Sequence, residues 1–382
     1  MKNLPLDEFL KNKSSKRKEL LRDLPLPRIF DMEKEEEIQQ LTKQAFQLNI
    51  TEVIDEYEDM LEELYFCRNA SHKFQYKSVK EIPAYNDFVK SLFNDKPLVQ
   101  TGTWVYFPWK YKLVHFLSKN LHEELRTARN KGLVTHEEQE KFRQFKVGIA
   151  GLSIGQSAAY TIAVNGGCEV MHLADFDVIS ATNTNRIRAS FDAVGINKAI
   201  YLAQMIYEVN PYANLKLFVD GLTETNMDSF FSDLDAVVDE IDNFPMKVKI
   251  REEAKRRKIP VVMAADMADA IGLDVERYDL DDKQAFFNGK LDEEDFDRLR
   301  SPEFGFNDMA RIFMKMNGGS LAPKRLRESV PLIGRELAGP PQLGSTAFLS
   351  GTVISYIIKK IAIGEKINLG SAILNLDTHL LK

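Results

Sequence analysis

The stretch that most constrains the fold covers residues 146–177 and reads KVGIAGLSIGQSAAYTIAVNGGCEVMHLADFD. Its apolar run 147–150 predicts a β-strand, and the small residues 156–165 predict the helix that follows. Two further glycines end this helix, and the apolar run 170–174 predicts a second strand. A strand, a helix and a second strand in this order predict one βαβ unit of an α/β sheet.

The turn between the first strand and the helix contains Gly151, Ser153 and Gly155. Glycines allow the backbone to approach a phosphate, and the N-terminus of a helix supplies free N–H groups and a positive dipole end. In such sites an acid about 20 residues further on binds the ribose hydroxyls; here Asp175 and Asp177 follow the second strand. The pattern predicts nucleotide binding, although the turn departs from G-x-G-x-x-G and similar turns also serve packing alone.

Strands and helices continue to alternate after this unit. Further helices are predicted over 195–209 and 245–258, and further strands over 215–219, 235–241 and 261–265. This alternation predicts an α/β fold with a doubly wound, mostly parallel, Rossmann-like sheet. Later in the chain, a strand over 274–280, an apolar helix over 346–363 and a last strand over 372–376 are predicted. That last strand pairs either with the sheet or with the strand 274–280.

Composition excludes some classes of protein. The 382 residues carry a net charge of −6, so the chain lacks the global basic field that is typical of nucleic-acid binders. Cys67 and Cys168 are far apart and form neither a disulfide framework nor a zinc site, which indicates a reducing compartment. The apolar stretch 346–358 is too short to span a bilayer. We therefore expect a cytoplasmic protein with no nucleic-acid or membrane partner.

Several polar residues fall where parallel strands end, which is where such sheets bind ligands. They are Asp175, Asp177, Asn183, Arg186, Lys198, Asp242 and Asn243. An arginine and a lysine beside acids suit a nucleoside triphosphate with a metal better than a dinucleotide, because the cations neutralise phosphate charge and a carboxylate can hold Mg²⁺.

In this order, the motifs G-L-x-x-G, ADFDVISATNTNR, G-x-x-K and D-x-x-DN closely resemble the ThiF/MoeB superfamily of ATP-dependent adenylyltransferases, which includes the ubiquitin-activating enzymes. The resemblance runs over about 126–267. The spelling TNTNR is also similar to the branch that cyclises threonylcarbamoyl-adenosine in tRNA. The GLSIG turn, the WVYFPW segment and the PQLGSTAFLSG region look more like a less characterised bacterial group, in which such a domain can be fused to a nitroreductase-like one.

The resemblance implies a role for each matching residue. ATP lies over Gly151, Ser153 and Gly155, with Asp175 on its ribose and Asp177 and Asn243 close by. Its phosphates contact Arg186 and Lys198 with Asn183 beside them, and Asp242 is linked to Mg²⁺. The resemblance also implies a homodimer, in which Arg129 reaches the ATP of the partner protomer.

Three parts of the chain are predicted on this basis. Residues 1–100 form a mostly helical N-terminal region, with a basic tail up to about residue 30 and a largely helical run over 33–67 that is broken around 49–51. Residues 101–275 form a ThiF-like ATP-binding domain. Its aromatic segment 103–116 is either a packing patch or a wall of the substrate pocket, and His115 within it is interpreted as structural. Residues 276–382 form a C-terminal extension that completes the fold.

Departures from the superfamily limit the chemistry. Ser153 and Ile154 replace glycines of the relatives' turn, and the chain has neither a C-x-x-C pair nor a cysteine after Cys168. The resemblance therefore implies that a substrate carboxylate is activated as an acyl-adenylate without a catalytic cysteine in the chain. A small molecule, a peptide or protein C-terminus and a modified tRNA base stay open as its carrier, and the acidic balance of the chain favours tRNA least. Two alternatives stay open: an NAD(P)- or FAD-binding oxidoreductase, and a non-catalytic nucleotide-binding partner protein.

Overall fold

The computed structural model describes residues 10–11, 26–319, 322–367 and 370–380. Its internal contacts divide the chain into two compact units, Met1–Thr135 with Tyr207–Tyr212 and His136–Ile206 with Ala213–Lys382. Most of the predicted basic tail lies outside the described residues, and its end at 28–30 belongs to a strand. The three-part division at residues 100 and 275 stays a prediction.

The first unit contains a four-stranded sheet in the order β1-β3-β4-β2. These strands are β1 Arg28–Asp31, β2 Glu52–Ile54, β3 Thr103–Phe107 and β4 Lys112–Phe116. Its helices are α1 Glu35–Gln44, α2 Tyr57–Arg68, α3 Ala70–Gln75, α4 Pro83–Phe93 and α5 Lys119–Arg126. The largely helical run predicted over 33–67 is present as α1 and α2, and the break predicted around 49–51 is wider than expected, because β2 lies between the two helices and pairs in parallel with β4.

The aromatic segment 103–116 is the antiparallel hairpin of β3 and β4. His115 is almost fully buried in it, and its ring stacks between Tyr57 and Trp104 with centroid distances of 4.0 and 4.2 Å. Its Nδ1 lies 2.8 Å from an oxygen of Asp55 and its Nε2 lies 2.8 Å from the carbonyl oxygen of Thr101. These contacts support the structural interpretation of His115, whereas the pocket-wall interpretation of the segment stays a hypothesis.

The second unit is built on a seven-stranded sheet in the order β11-β10-β9-β8-β5-β6-β7. Its strands are β5 Val147–Ala150, β6 Val170–Ala174, β7 Asn214–Phe218, β8 Ala236–Asp239, β9 Val261–Met267, β10 Ala270–Glu276 and β11 Ser371–Asn375. The pairs from β7 to β9 are parallel, and the two last strands add antiparallel pairs. The predicted doubly wound, mostly parallel sheet is confirmed.

Helices from residue 136 onward surround this sheet. They are α6 His136–Gln144, α7 Ile154–Val164, α8 Lys198–Val209, α9 Met227–Phe231, α10 Phe244–Arg257, α11 Glu293–Arg300, α12 Phe306–Met316, α13 Lys324–Ser329, α14 Gly344–Ala362 and α15 Leu376–Leu380. The small residues of α7 permit close packing: a Cβ atom at Gly351 of α14 would collide with Ser157 and lie 2.6 Å from the Ala158 nitrogen. None of the helices that the structure describes combines the length and apolarity needed to span a bilayer.

The end of the sheet differs from one prediction. The strand expected over 274–280 is β10 at Ala270–Glu276, which forms an antiparallel hairpin with β9. The reason is that the chain reverses directly after β9 at Ala268, whose φ is +58°, so that Gly272 lies inside the strand rather than before it. The last strand, β11, pairs with β10 and thereby joins the main sheet.

Candidate active site

The carboxyl ends of the parallel strands bring separate parts of the chain to one edge of the sheet. Ala150 of β5 stands opposite both Ala174 of β6 and Asp239 of β8. The residues that follow these three positions therefore emerge together. In open α/β sheets this edge is where ligands bind.

The turn after β5 requires glycine. Gly151 has a φ of +86°, and a Cβ atom there would collide with the backbone of Glu240. A Cβ atom at Gly155 would lie only 2.8 Å from Cγ2 of Ile149, so the start of α7 packs directly against the strand. The Ser153 side chain makes no capping hydrogen bond to α7, and it therefore leaves the first N–H groups of that helix to other acceptors.

Asp175 fixes the shape of this turn. It is only 8% exposed; its Oδ2 accepts a hydrogen bond from the Leu152 nitrogen at 2.7 Å and its Oδ1 accepts one from the Asp177 nitrogen at 2.8 Å. Burial raises the pKa of Asp175, and the charge of Lys198 opposes this rise. A contact of Asp175 with ribose stays a prediction.

Lys198 joins three of the predicted residues. This buried lysine is the first residue of α8, and its Nζ donates to Oδ2 of Asp177 at 2.8 Å. The same nitrogen lies 3.7 Å from Oδ2 of Asp175 and 3.5 Å from Oγ of Ser153. The cation thus lies beside the glycine turn, with one acid buried and the other, Asp177, 53% exposed at its side chain.

Arg186 follows a short 3-10 turn, Ala181–Asn185, in the loop after β6. Its Nη1 donates to the Thr182 carbonyl and to Oδ1 of Asn185, both at 3.0 Å, whereas its Nε is buried with no hydrogen-bond partner among the described residues. Burial lowers the pKa of Arg186, and the charges of Asp242 and Asp266 act in the opposite direction. Arg186 and Asp242 therefore lie within electrostatic range of each other.

Two of the predicted ligand residues make local capping contacts. Asn183 is buried, and its Oδ1 accepts a hydrogen bond from the Ser180 nitrogen at 3.1 Å within a capping box. Asn243 is the N-cap of α10, and its Oδ1 accepts a hydrogen bond from the Met246 nitrogen at 3.0 Å. Their contacts with a nucleotide stay predictions.

Asp242 is exposed between β8 and α10, and its carboxylate makes no hydrogen bond or ion pair with any described residue. Within the described ranges, no three histidine, cysteine or acidic side chains lie together as a metal site. The single exposed carboxylate of Asp242 fits Mg²⁺, which proteins commonly hold through one or two carboxylates while the substrate phosphates supply further oxygens.

Sequence reasoning missed one acid of this edge. Asp266 lies near the end of β9, is 7% exposed, and accepts a hydrogen bond at Oδ1 from the Ser350 hydroxyl at 2.8 Å. Its Oδ2 is buried without a hydrogen-bond partner among the described residues. The signal was present, since an acid directly after the apolar run 261–265 falls at the end of a parallel strand.

A comparison with models of protein families identifies the part of the chain that carries this site. The sequence model described as "ThiF family" matches residues 127–270. Residues 127–270 are a ThiF domain.

Several proteins resemble the chain over and around the ThiF domain. "Uncharacterized protein MT1398" of Mycobacterium tuberculosis (strain CDC 1551 / Oshkosh) is 33% identical over 72% of this chain and 38% of its own length. The tRNA threonylcarbamoyladenosine dehydratase of Escherichia coli (strain K12) is 36% identical over 30% of this chain and 43% of its own. The molybdopterin-synthase adenylyltransferase of Haemophilus influenzae is 28% identical over 37% of this chain and 60% of its own. The chain thus spans less than two thirds of each of these relatives.

Arg129 lies at the N-terminal end of the ThiF domain, in the 3-10 turn Ala128–Asn130, and its side chain is exposed. By its contacts this turn belongs to the first unit, whereas the other predicted site residues belong to the second. A contact of Arg129 with the nucleotide of a partner protomer stays a prediction.

A network of buried charged side chains begins at Asp239, three residues before Asp242. Asp239, the last residue of β8, accepts hydrogen bonds from Nη1 of Arg251 at 2.5 Å and from Nζ of Lys247 at 3.1 Å. The Nε of Arg251 lies 2.8 Å from Oε2 of Glu276 on β10, and its guanidinium stacks on the Phe287 ring at 3.9 Å. The network connects β8 and α10, between which Asp242 lies, to the strand β10.

The variant Asp266→Asn tests whether the buried carboxylate of Asp266 destabilises the folded chain when it is ionised. Burial raises the pKa of Asp266 from 3.8 to about 6. Because the folded state binds this proton more tightly than the unfolded state, the stability from that proton is present below about pH 4 and is lost as the pH rises through about 6. We expect the variant to be more stable than the wild type near pH 8 by roughly 1–3 kcal/mol, with the difference closing near pH 4.

Urea unfolding at the two pH values measures this difference. The matched control is Asp282→Asn, the same change at an exposed position after β10, which should leave stability unchanged at both. Equal destabilisation of the Asp266 variant at both pH values would show that the carboxylate is an ordinary structural link to Ser350.

Proposed function

We propose that the chain is an ATP-dependent adenylyltransferase, which activates a substrate carboxylate as an acyl-adenylate and releases pyrophosphate. The observation that carries this proposal is the placement of Lys198, Arg186 and Asp242 along one edge of a sheet that also presents the turn at Gly151. The name of the Haemophilus relative, an adenylyltransferase, supports the same reaction class.

In the proposed reaction, a carboxylate oxygen of the substrate attacks the α-phosphorus of ATP. The bond from that phosphorus to the oxygen bridging to the β-phosphate breaks, and pyrophosphate leaves with the electron pair. Lys198 and Arg186 neutralise charge on the phosphates, so catalysis is positioning and electrostatic stabilisation without a protein nucleophile. A magnesium ion held by Asp242 would supply further neutralisation of phosphate charge.

No thiol of the chain is assigned a part in this reaction. Cys168 is buried in the core of the second unit, and burial raises the pKa of its thiol well above the ordinary value. A thiol that stays protonated is a poor nucleophile. We propose that the reaction either stops at the acyl-adenylate or passes the acyl group to a nucleophile outside the chain. We further propose a cytoplasmic homodimer in which Arg129 contributes to the partner's site.

Exchange of labelled pyrophosphate into ATP tests the proposed function, because it requires the reversible formation of the adenylate. We expect exchange that depends on an added carboxylic acid. Panels of amino acids, acids without an amine, and peptides with a free C-terminus cover the substrate classes. Binding of Mg·ATP without exchange under any panel would contradict catalysis and favour a non-catalytic nucleotide-binding protein.

Lys198→Gln is expected to raise the KM for ATP in this exchange by about 10-fold or more, because a charge-assisted hydrogen bond to phosphate is lost. Steady-state exchange at varied ATP concentration measures it. Lys283→Gln, the same change at an exposed position, is the control. An unchanged KM in the Lys198 variant would show that its ammonium pairs only with Asp177 and Asp175.

A further inference from the structure

Asp266 has no part in the chemistry described above, yet it is a buried acid at the same edge of the sheet. We propose that Asp266, oriented by Ser350, recognises a protonated amine next to the carboxylate that is activated, so that the substrate is an α-amino acid. This inference rests on the proposed function and names the substrate class of the same site.

The position of Asp266 places it in that site rather than in the core alone. Strand β8, which leads to Asp242, pairs in parallel with β9, which carries Asp266 near its end. The charges of both acids act on Arg186. Asp266 therefore lies at the same edge of the sheet as the acid proposed to hold Mg²⁺.

Two buried groups of opposite sign are unsatisfied here. Among the described residues, Oδ2 of Asp266 has no hydrogen-bond donor and Nε of Arg186 has no acceptor, although each is enclosed by protein. The same residues show no ion pair between these two side chains. An ammonium group of a bound substrate would donate to Asp266, while phosphate oxygens would accept from Arg186.

The charges around Asp266 favour a cationic group of the substrate over a neutral hydrogen-bond donor. Among the residues that the structure describes, Arg186 is the one cation whose charge acts on Asp266, and it is shared with Asp242. When phosphates occupy Arg186, the carboxylate of Asp266 is left without a compensating charge. A buried charge without a partner is costly, and a neutral N–H or O–H donor leaves most of that cost in place. An ammonium group on the substrate removes it.

A purely structural role explains Asp266 less well. The hydrogen bond from the Ser350 hydroxyl connects α14 to β9 through Oδ1 alone. An asparagine in this position would accept the same hydrogen bond without a buried charge. The second oxygen is the part of Asp266 that this role does not use, and it is the atom available to a ligand.

The test compares pyrophosphate exchange with matched acids. Alanine and other α-amino acids are paired with the same acids lacking the amine or carrying it N-acetylated, and with N-acetylated dipeptides. We expect wild-type kcat/KM to fall by about 100-fold when the amine is removed or acetylated. In Asp266→Asn that preference should shrink to about 10-fold or less, because the amide offers a hydrogen bond without charge.

Two further variants and two contrary outcomes separate the possible failures. Asp282→Asn should keep the full preference, and Ser350→Ala should keep it while raising KM, since the charge of Asp266 remains. Equal or faster exchange with acids that lack the amine, or with the dipeptides, would overturn the inference and leave the proposed function standing. Absence of exchange with every acid would overturn the proposed function, and the substrate assignment with it.

Discussion

Replacing Asp242 with asparagine is expected to reduce substrate-dependent pyrophosphate exchange by about 100-fold or more. The carboxylate of Asp242 has no protein partner among the described residues other than the electrostatic influence of Arg186, so its removal leaves no buried group unsatisfied. The loss should therefore appear in kcat for exchange rather than in folding. Exchange rates at saturating ATP, Mg²⁺ and acid measure it.

The controls for Asp242 follow from its exposed position. Circular dichroism and the urea midpoint of the variant should match those of the wild type, and Asp282→Asn should retain exchange. Raising the Mg²⁺ concentration should recover part of the loss if the role of Asp242 is to hold the ion between the protein and the phosphates. Exchange at the wild-type rate in Asp242→Asn would remove this residue from the site.

Arg251→Met is expected to destabilise the folded chain by about 3–5 kcal/mol, because it leaves two buried carboxylates without their shared cation. Arg251, Asp239 and Glu276 are each no more than 1% exposed. Lys247 is a second cation for Asp239, at 3.1 Å, so the larger part of the penalty should fall on Glu276. The urea midpoint at constant m-value measures the loss of stability.

A neutral version of the network separates its charge from its packing. Combining Arg251→Met with Glu276→Gln should recover much of the lost stability, since the buried uncompensated charge is gone. Arg256→Met, at an arginine whose side chain is 61% exposed, should leave the stability nearly unchanged, because exposed ion pairs contribute little. A small effect at Arg251 as well would show that water reaches the network.

Local pattern predicted the sheet of the second unit well. Strands such as Val147–Ala150 and Val170–Ala174 are short apolar runs between turn residues, and the structure has them with the same bounds. Pairing between distant segments was harder to predict. The three-residue strand Glu52–Ile54 has no apolar run of its own and forms by pairing with Lys112–Val114, which lies 60 residues later in the chain.

The candidate site could also be predicted only in part from the sequence. The sheet edge could be predicted because the ends of parallel strands converge, and in the structure Nζ of Lys198 lies 2.8 Å from Oδ2 of Asp177. It did not predict that Asn183 and Asn243 would use their side-chain oxygens for capping, which depends on local backbone geometry. Asp266 could have been found by the same argument, since it directly follows the apolar run 261–265, but only coordinates reveal the burial of its Oδ2 without a hydrogen-bond partner among the described residues.

Parallel calorimetric titrations with Mg·ATP and with NADH test most directly whether these side chains form one nucleoside triphosphate site. We expect saturable binding of Mg·ATP at one site per chain, weakened when Mg²⁺ is withheld, with no comparable heat from NADH. Tight binding of NADH, with no heat from Mg·ATP up to millimolar concentration, would rule out a triphosphate site and leave the βαβ unit as a dinucleotide site.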